Sequence, residues 1–463
     1  MGAVTRGPAT RLRHACGSIS KAVSTPPQTI SALKTVNKVC GRHKHTRVSA
    51  TPRRGPHHSM LLAACLLSGI GQPAPYHKAG YARWMVSTLS YGSLSTTSTR
   101  SNGSHVGDAF GNTNSFADVK GTPYLYVSNL DASMIDLFTA PSAKPRGSLA
   151  LSAASLLAPN GTSIIQDCEI GVGFGDPENP PCARLTLSGD FSKVPANSTE
   201  HAAAYAALLE RHPFIKTLPD DHDFFVAKLS LDGIWLIDDY GGAAIVDPTD
   251  YFAASAPAPA ATIDMNPARN FIGARAITGK PPFTKKAETA RWMVTELTYG
   301  FLATTSTRKN GSTPGDAFGN PYGIADVGGI PYFYGTDMDA SFTDLFASAH
   351  SSIRCSLALS EAQLGGAQLS QACQIAPGQS GDPENPPCAR LVISGGMAKV
   401  AANTTEEAEA KAALFKKHPS FENFPTGHGF YVARLDIDGL WLINFFGGAA
   451  IISPEDYFRA AIA

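Results

Sequence analysis

Apolar residues in this chain come in short clusters, and their spacing sets the first expectations. Residues 82–89 place Met85 and Leu89 at i and i+4, the spacing of one helix face. Tyr91-Gly92 ends that helix, and the β-branched run 94–99 predicts a strand. A Gly- and Asn-rich loop follows, then an aromatic strand over 124–126. Residues 131–138 predict a helix whose first-turn amides Asp131 can cap. Further strands are expected over 148–151 and 183–188. Asn197-Ser-Thr-Glu200 has capping-box spacing and opens an alanine-rich helix that stops before Pro213. Strands over 224–229, 234–238 and 244–246 close the pattern. Many short strands with few helices predict a mostly β fold, an antiparallel barrel with peripheral helices. No strand–helix alternation of a doubly wound sheet is present.

The same pattern then occurs a second time. Residues 82–100 match 290–308 at 14 of 19 positions. Gly107-Asp-Ala-Phe-Gly-Asn112 recurs unchanged at 315–320, and Gly175-Asp-Pro-Glu-Asn-Pro-Pro-Cys-Ala-Arg-Leu185 recurs unchanged at 381–391. Gly233-Ile-Trp-Leu-Ile and Tyr240-Gly-Gly-Ala-Ala-Ile245 have counterparts at 439–443 and 446–451. The offset drifts only from 208 to 206 residues, far too long for a solenoid repeat, so each copy must be a complete domain. The chain therefore divides into a basic extension with a targeting segment (1–76), a first domain (77–256), an Ala/Pro-rich linker (257–284) and a second domain (285–463).

Charge sharpens this division. The 463-residue chain is formally neutral, yet residues 1–59 hold eleven Lys and Arg and no acid. That leaves 27 basic against 38 acidic residues in 76–463, a balance that repels a phosphate backbone and argues against nucleic-acid binding. The apolar run 60–70 is too short to span a bilayer, which takes about 20 residues. It fits the apolar core of a signal peptide, with Gly71, Pro73 and Ala74 after it. An Arg- and Ser-rich organellar transit peptide is the rival reading. No membrane span is expected in the mature chain.

Cys168 and Cys182 bracket the Gly-Asp-Pro-Glu-Asn-Pro-Pro loop in one copy, and Cys373 and Cys388 bracket it in the other. A disulfide in each copy and a pair of buried thiols are both open at this point; zinc-ligand spacing is lacking. Cys355 has Gly147 as its counterpart and no partner in this scheme. Acceptor sequons stand at Asn102, Asn160, Asn197, Asn310 and Asn403, two pairs of them in equivalent places. An apolar leader, paired cysteines and sequons point to one compartment.

The ordered motifs resemble the CREG family, the secreted cellular repressors of viral-oncogene-stimulated genes. They run from Ala82-Arg-Trp through Ala117-Asp-Val, Gly121-x-Pro-Tyr-x-Tyr, Asp176-Pro and His212-Pro to Gly233-x-Trp and Tyr240-Gly-Gly, and recur in the second copy. The resemblance implies two tandem split β-barrels of the FMN-binding type, like pyridoxamine-5′-phosphate oxidase, in a secreted or endo-lysosomal glycoprotein. Family members pair through the barrel, so the two copies are expected to form a pseudo-dimer within one chain.

Candidate chemistry is sparse. Ser98, Thr99 and Arg100, with Ser306, Thr307 and Arg308, are the hydroxyls and cations that a flavin phosphate would need. A solvated polar strand end is the other reading of them. Lys120 faces Gly328 as its counterpart, so the copies disagree where a shared cofactor site should agree. His212/His418, His222/His428 and Asp118/Asp326 recur and are candidates for a base or a metal ligand, or for helix-end and turn hydrogen bonds. Rossmann, P-loop, nucleophile-elbow and zinc-hydrolase patterns are lacking. The expected function is a non-catalytic protein that binds a protein partner or receptor, with no metal and no cofactor. The alternative is an FMN- or tetrapyrrole-binding oxidoreductase-like protein, in the chloroplast or another organelle. N-terminal sequencing of the mature protein tests the compartment: a start shortly after Ile70 is expected, and retention of residues 1–59 would count against secretion.

Overall fold

A computed structural model of the protein describes residues 77–157, 163–255, 279–347, 352–364, 370–376 and 379–461. The expected extension 1–76, the sequon Asn160 and linker positions 257–278 lie outside them.

The first copy begins with the helix Lys78–Thr88, which buries Tyr81, Trp84, Met85 and Val86. It is followed by β1 (Tyr91–Thr97), β2 (Ala109–Ser115), β3 (Ala117–Val119), β4 (Thr122–Ser128), β5 (Arg146–Ser152), β6 (Arg184–Lys193), β7 (Phe224–Ile237) and β8 (Ala244–Ile245). The second copy repeats this with the helix Lys286–Glu296 and β9 (Tyr299–Thr305), β10 (Ala317–Gly323), β11 (Ala325–Val327), β12 (Ile330–Gly335), β13 (Arg354–Ser360), β14 (Arg390–Lys399), β15 (Tyr431–Ile443) and β16 (Ala450–Ile452). Each copy is one antiparallel eight-stranded sheet, in the order β2-β1-β5-β6-β7-β4-β3 with β8 on β7, and likewise β10-β9-β13-β14-β15-β12-β11 with β16 on β15. The mostly β architecture and the antiparallel split barrel expected from the sequence are therefore present twice.

Three local readings change. The helix at residue 82 begins earlier, at Lys78, and Tyr91-Gly92 opens β1 instead of merely closing the helix. Residues 224–229 and 234–238 form one strand, β7, because its pairing with β6 continues through a bulge at Ser188/Gly189. Glycine is required there: a Cβ on Gly189 would lie 1.9 Å from the Ser230 carbonyl oxygen. The capping residue of the helix Thr199–Arg211 is Ser198, whose hydroxyl accepts from the His201 amide, one position after Asn197.

The largest change concerns the Gly/Asn loop. Its second half, Ala-Phe-Gly-Asn-Thr-Asn-Ser, is strand β2, and all seven residues are buried. One edge of β2 pairs with β1 and its outer face meets the other barrel. Ser356 Oγ of the second barrel accepts from the Gly111 amide at 2.9 Å, and Ser148 Oγ accepts from the Gly319 amide at 3.0 Å. Arg146 Nε donates to Asp316 and Arg354 Nε to Asp108, each at 2.8 Å. Trp441 packs edge-on to Phe110 at 5.9 Å between ring centroids, and Trp235 to Phe318 at 5.8 Å. Every one of these contacts has its twin across the pseudo-twofold.

Close approach of the barrels makes Gly319 sensitive to size. A Cβ there would sit 2.6 Å from Ser95 Oγ and 3.0 Å from Ala150 Cβ of the first barrel. Gly319→Val improves strand propensity yet wedges the interface apart, so it should destabilise the chain by about 1–3 kcal/mol. Gly427→Ala, where a Cβ meets nothing within 4 Å, should leave the thermal midpoint unchanged. Scanning calorimetry of the two variants separates packing from glycine removal as such.

Candidate functional site

The disulfides Cys168–Cys182 and Cys373–Cys388 both form and resolve the pairing left open by spacing. Each staples the base of the Gly-Asp-Pro-Glu-Asn-Pro-Pro loop, and that loop reaches the opposite barrel. Asp382 Oδ2 lies 2.7 Å from His212 Nδ1, and Asp382 Oδ1 accepts from Ser115 Oγ at 2.5 Å. Glu384 accepts from the Asn114 side chain and the Ser115 amide, each at 3.0 Å. In the mirror position Asp176 lies 2.7 Å from His418 Nδ1, and Glu178 accepts from the Gly323 amide at 2.8 Å. The second ring nitrogens face carbonyls, His212 Nε2 the oxygen of Phe116 and His418 Nε2 that of Ile324. Both nitrogens of each buried imidazole thus meet an oxygen atom, which fixes the ring between the two barrels. The sequence offers these histidines as a base, a metal ligand or a partner of helix-end carbonyls; in the structure they clamp one barrel to the other.

Arg390 Nη1 donates to the Thr113 carbonyl at 3.1 Å, which fixes β2 from the same side. Burial raises the Glu384 carboxyl to about 7, with Asp131 and Asp382 adding to the rise and Arg390 opposing it. Glu178 is pushed well above the ordinary carboxyl range, again chiefly by burial.

Of Ser98, Thr99 and Arg100, the last two converge, but on a carboxylate of their own barrel. Asp136 Oδ1 accepts from the Thr99 amide and hydroxyl, each at 2.8 Å, and Asp136 Oδ2 accepts from Arg100 Nη2 at 2.9 Å. Ser98 Oγ lies 2.8 Å from Ser104 Oγ. The Arg100 guanidinium also stacks over Phe110 at 4.1 Å, the ring that meets Trp441. Asp344 engages Thr307 and Arg308 in the same way, with the Thr307 amide at 2.8 Å and Arg308 Nη2 at 3.0 Å, and Ser306 Oγ lies 2.7 Å from Ser312 Oγ. Asp136 and Asp344 escaped the sequence reading, although the Asp-Leu-Phe tripeptide that carries each is repeated.

Other candidates have local roles. Asp118 Oδ1 accepts from the Gly121 amide at 2.5 Å and Asp326 Oδ2 from the Gly329 amide at 3.2 Å, so both close the turn before the aromatic strand. Lys120 and Gly328 occupy that turn with φ of 54° and 64°, so this position selects for a left-handed backbone and not for a cation. His222 and His428 contribute their backbone carbonyls, which accept from Ser128 and Thr336 hydroxyls. Glu361 lies near Cys373 and Cys388, but both sulfurs are consumed by the disulfide. Cys355 is buried, and burial pushes its thiol far above the ordinary range, so the inert protonated form dominates. Asn102, Asn197, Asn310 and Asn403 are exposed.

The two interface clefts differ. Beside His212 a cleft of about 520 Å³ opens between Tyr126, Ile215 and Phe224 of the first barrel and Glu384, Asn385 and Phe446 of the second. Beside His418 the matching place is packed with rings. Phe421 replaces Ile215 and stacks on His418 at 4.6 Å, and Phe424 and Phe430 join it around Tyr334. A Cβ on Gly323, the counterpart of Ser115, would lie 2.7 Å from Phe421, so this packing leaves no room for a serine.

A flavin does not fit the candidate phosphate residues. The Thr and Arg donors already meet buried Asp136 and Asp344 at full hydrogen-bond distance, and a phosphate there would face a carboxylate.

This architecture is that of a split β-barrel protein with two barrels on one chain. The family model "CREG, beta-barrel" matches residues 73–253 and again 281–459, and the chain belongs to the CREG family. A chicken protein, CREG1, is 33% identical over 186 residues, covering 39% of this chain and 88% of its own. Human CREG1 is 29% identical over 187 residues, covering 39% and 77%, and human CREG2 is 32% identical over 194 residues, covering 41% and 61%. Among solved structures, a heme-binding protein from Mycobacterium smegmatis aligns at 21% identity over 55% of this chain and 90% of that one, with a TM-score of 0.31. The heme storage protein HutZ from Vibrio cholerae aligns at 13% identity over 34% and 91%, with a TM-score of 0.25.

Glu384 gives the interface a pH signature. Its folded-state value is raised from 4.5 to about 7, so its contribution is complete below pH 4.5 and is lost as pH rises through 7. The side chain still borders the cleft, and screening leaves an effect of about 1–2 kcal/mol. The thermal midpoint of the wild type should therefore fall between pH 5 and pH 8, and Glu384→Gln should flatten that slope. An unchanged slope in Glu384→Gln would contradict this assignment.

Proposed function

We propose that this protein is a secreted or endo-lysosomal CREG-like glycoprotein that acts by binding a protein partner or receptor, without catalysis, and that its two barrels behave as one intramolecular pseudo-dimer. The observation that carries the reading is the capture of Thr99 and Arg100 by Asp136, repeated for Thr307 and Arg308 at Asp344. Two identical traps convert the residues best suited to an anionic cofactor into interface supports.

Several features support the remainder. Two disulfides favour an oxidising compartment. The four described sequons are exposed, as acceptors must be. No helix among the described residues is long and apolar enough to cross a membrane. Exposed apolar side chains at Tyr240, Ile245, Phe446 and Ile451 offer contact area to a partner.

The visible spectrum of the purified full-length protein tests the non-catalytic reading. No band near about 450 nm is expected, where a bound flavin absorbs. A stoichiometric flavin band that survives gel filtration would overturn it and favour the oxidoreductase-like alternative.

A further inference from the structure

The open cleft and the filled cleft derive from one ancestral sequence, so each difference between them reports on what the open one lacks. On the filled side the Tyr240 hydroxyl donates to Asn179 Oδ1 at 2.9 Å. On the open side the counterpart of Tyr240 is Phe446, which has no hydroxyl. Asn385, the counterpart of Asn179, lines the open cleft; its amide nitrogen donates to the Ser380 carbonyl at 2.9 Å, and its Oδ1 has no partner. The residue is only 6% exposed, so water does not readily compensate that oxygen. The aromatic bulk is missing as well: Ile215 and Leu218 stand where Phe421 and Phe424 fill the other side. The open cleft therefore lacks two phenyl rings and one hydroxyl donor.

We propose that the cleft beside His212 binds a small uncharged phenolic molecule, one per chain, with its ring against Ile215 and Phe224 and its hydroxyl donating to Asn385. The cleft disfavours anions: both terminal nitrogens of Arg390, its one Arg or Lys side chain, already donate to the Thr113 and Glu384 carbonyls, and the Asp131 and Asp382 side chains lie alongside. The volume of about 520 Å³ suits a molecule of one or two fused rings with space for water. The hydroxyl reaches Asn385 by displacing Phe446, which is 63% exposed and is followed by Gly447 and Gly448 at positive φ. This assignment does not rest on the partner-binding reading, which stands whether or not a phenol binds.

Fluorescence titration of the full chain with 2-naphthol tests it, against 2-methoxynaphthalene, which lacks the donor, and 2-naphthoate, which is anionic. Saturation at one 2-naphthol per chain is expected, about tenfold tighter than the methyl ether, as for one hydrogen bond to an otherwise unpaired buried acceptor. 2-Naphthoate should bind more weakly than either. Phe446→Tyr supplies the hydroxyl internally and should erase the preference for naphthol over its ether. Ile215→Phe copies the filled side and should abolish binding of both; it keeps the test decisive if Phe446→Tyr folds poorly. Two equivalents per chain, equal affinity for naphthol and its ether, or unchanged binding in Ile215→Phe would overturn the proposal.

Discussion

The structure depends on the burial of a polar edge strand. β2 carries Gly, Asn, Thr and Ser, and β10 Gly, Asn and Pro, where a core strand would carry Val and Ile, and both are fully buried. Removing such groups from water is costly unless they find partners, and several of those partners come from the other copy. Asp382 and Glu384 receive the donors of Asn114, Ser115 and His212, while Arg390 reaches the Thr113 carbonyl. One barrel alone would present unpaired polar groups along this strand. The disulfide at the base of each loop holds the carboxylates in place for the crossing.

Duplication within one chain also releases the interface from symmetry. In a homodimer, a substitution in one cleft is a substitution in both. Here the contacts that hold the barrels together remain paired, as Arg146–Asp316 and Arg354–Asp108 show. The clefts do not: Phe421, Phe424 and Tyr240 occupy one side, and Ile215, Leu218 and Phe446 leave the other open. Scaffold residues stayed matched while cleft residues diverged, so one chain carries one open site and one internally filled reference for it.

Much of the fold was legible in the chain. Asp131 caps its short helix as its spacing required, accepting from the Ser133 and Met134 amides. The buried faces of β6 and β7 follow from their apolar runs. What misled was polarity. The segment holding β2 reads as a loop because Gly and Asn favour loops, and nothing local reveals a burying surface more than two hundred residues away. The Ser-Thr-Arg candidates failed as a phosphate cradle for a similar reason. Their donors were legible, but Asp136, which consumes them, lies 36 residues on from Arg100 in sequence.

The sequence by itself determined the duplication, the strand-rich domains, the helix caps and the bracketing of each loop by cysteines, because these depend on identity and short spacing. Only the tertiary structure decided that the loops cross between copies, that His212 and His418 act as clamps, and that the two clefts differ in openness. These properties rest on which side chains meet across the pseudo-twofold. A one-dimensional pattern states how polar a residue is, but whether that polarity faces water or a buried partner is fixed only when the second barrel is in place.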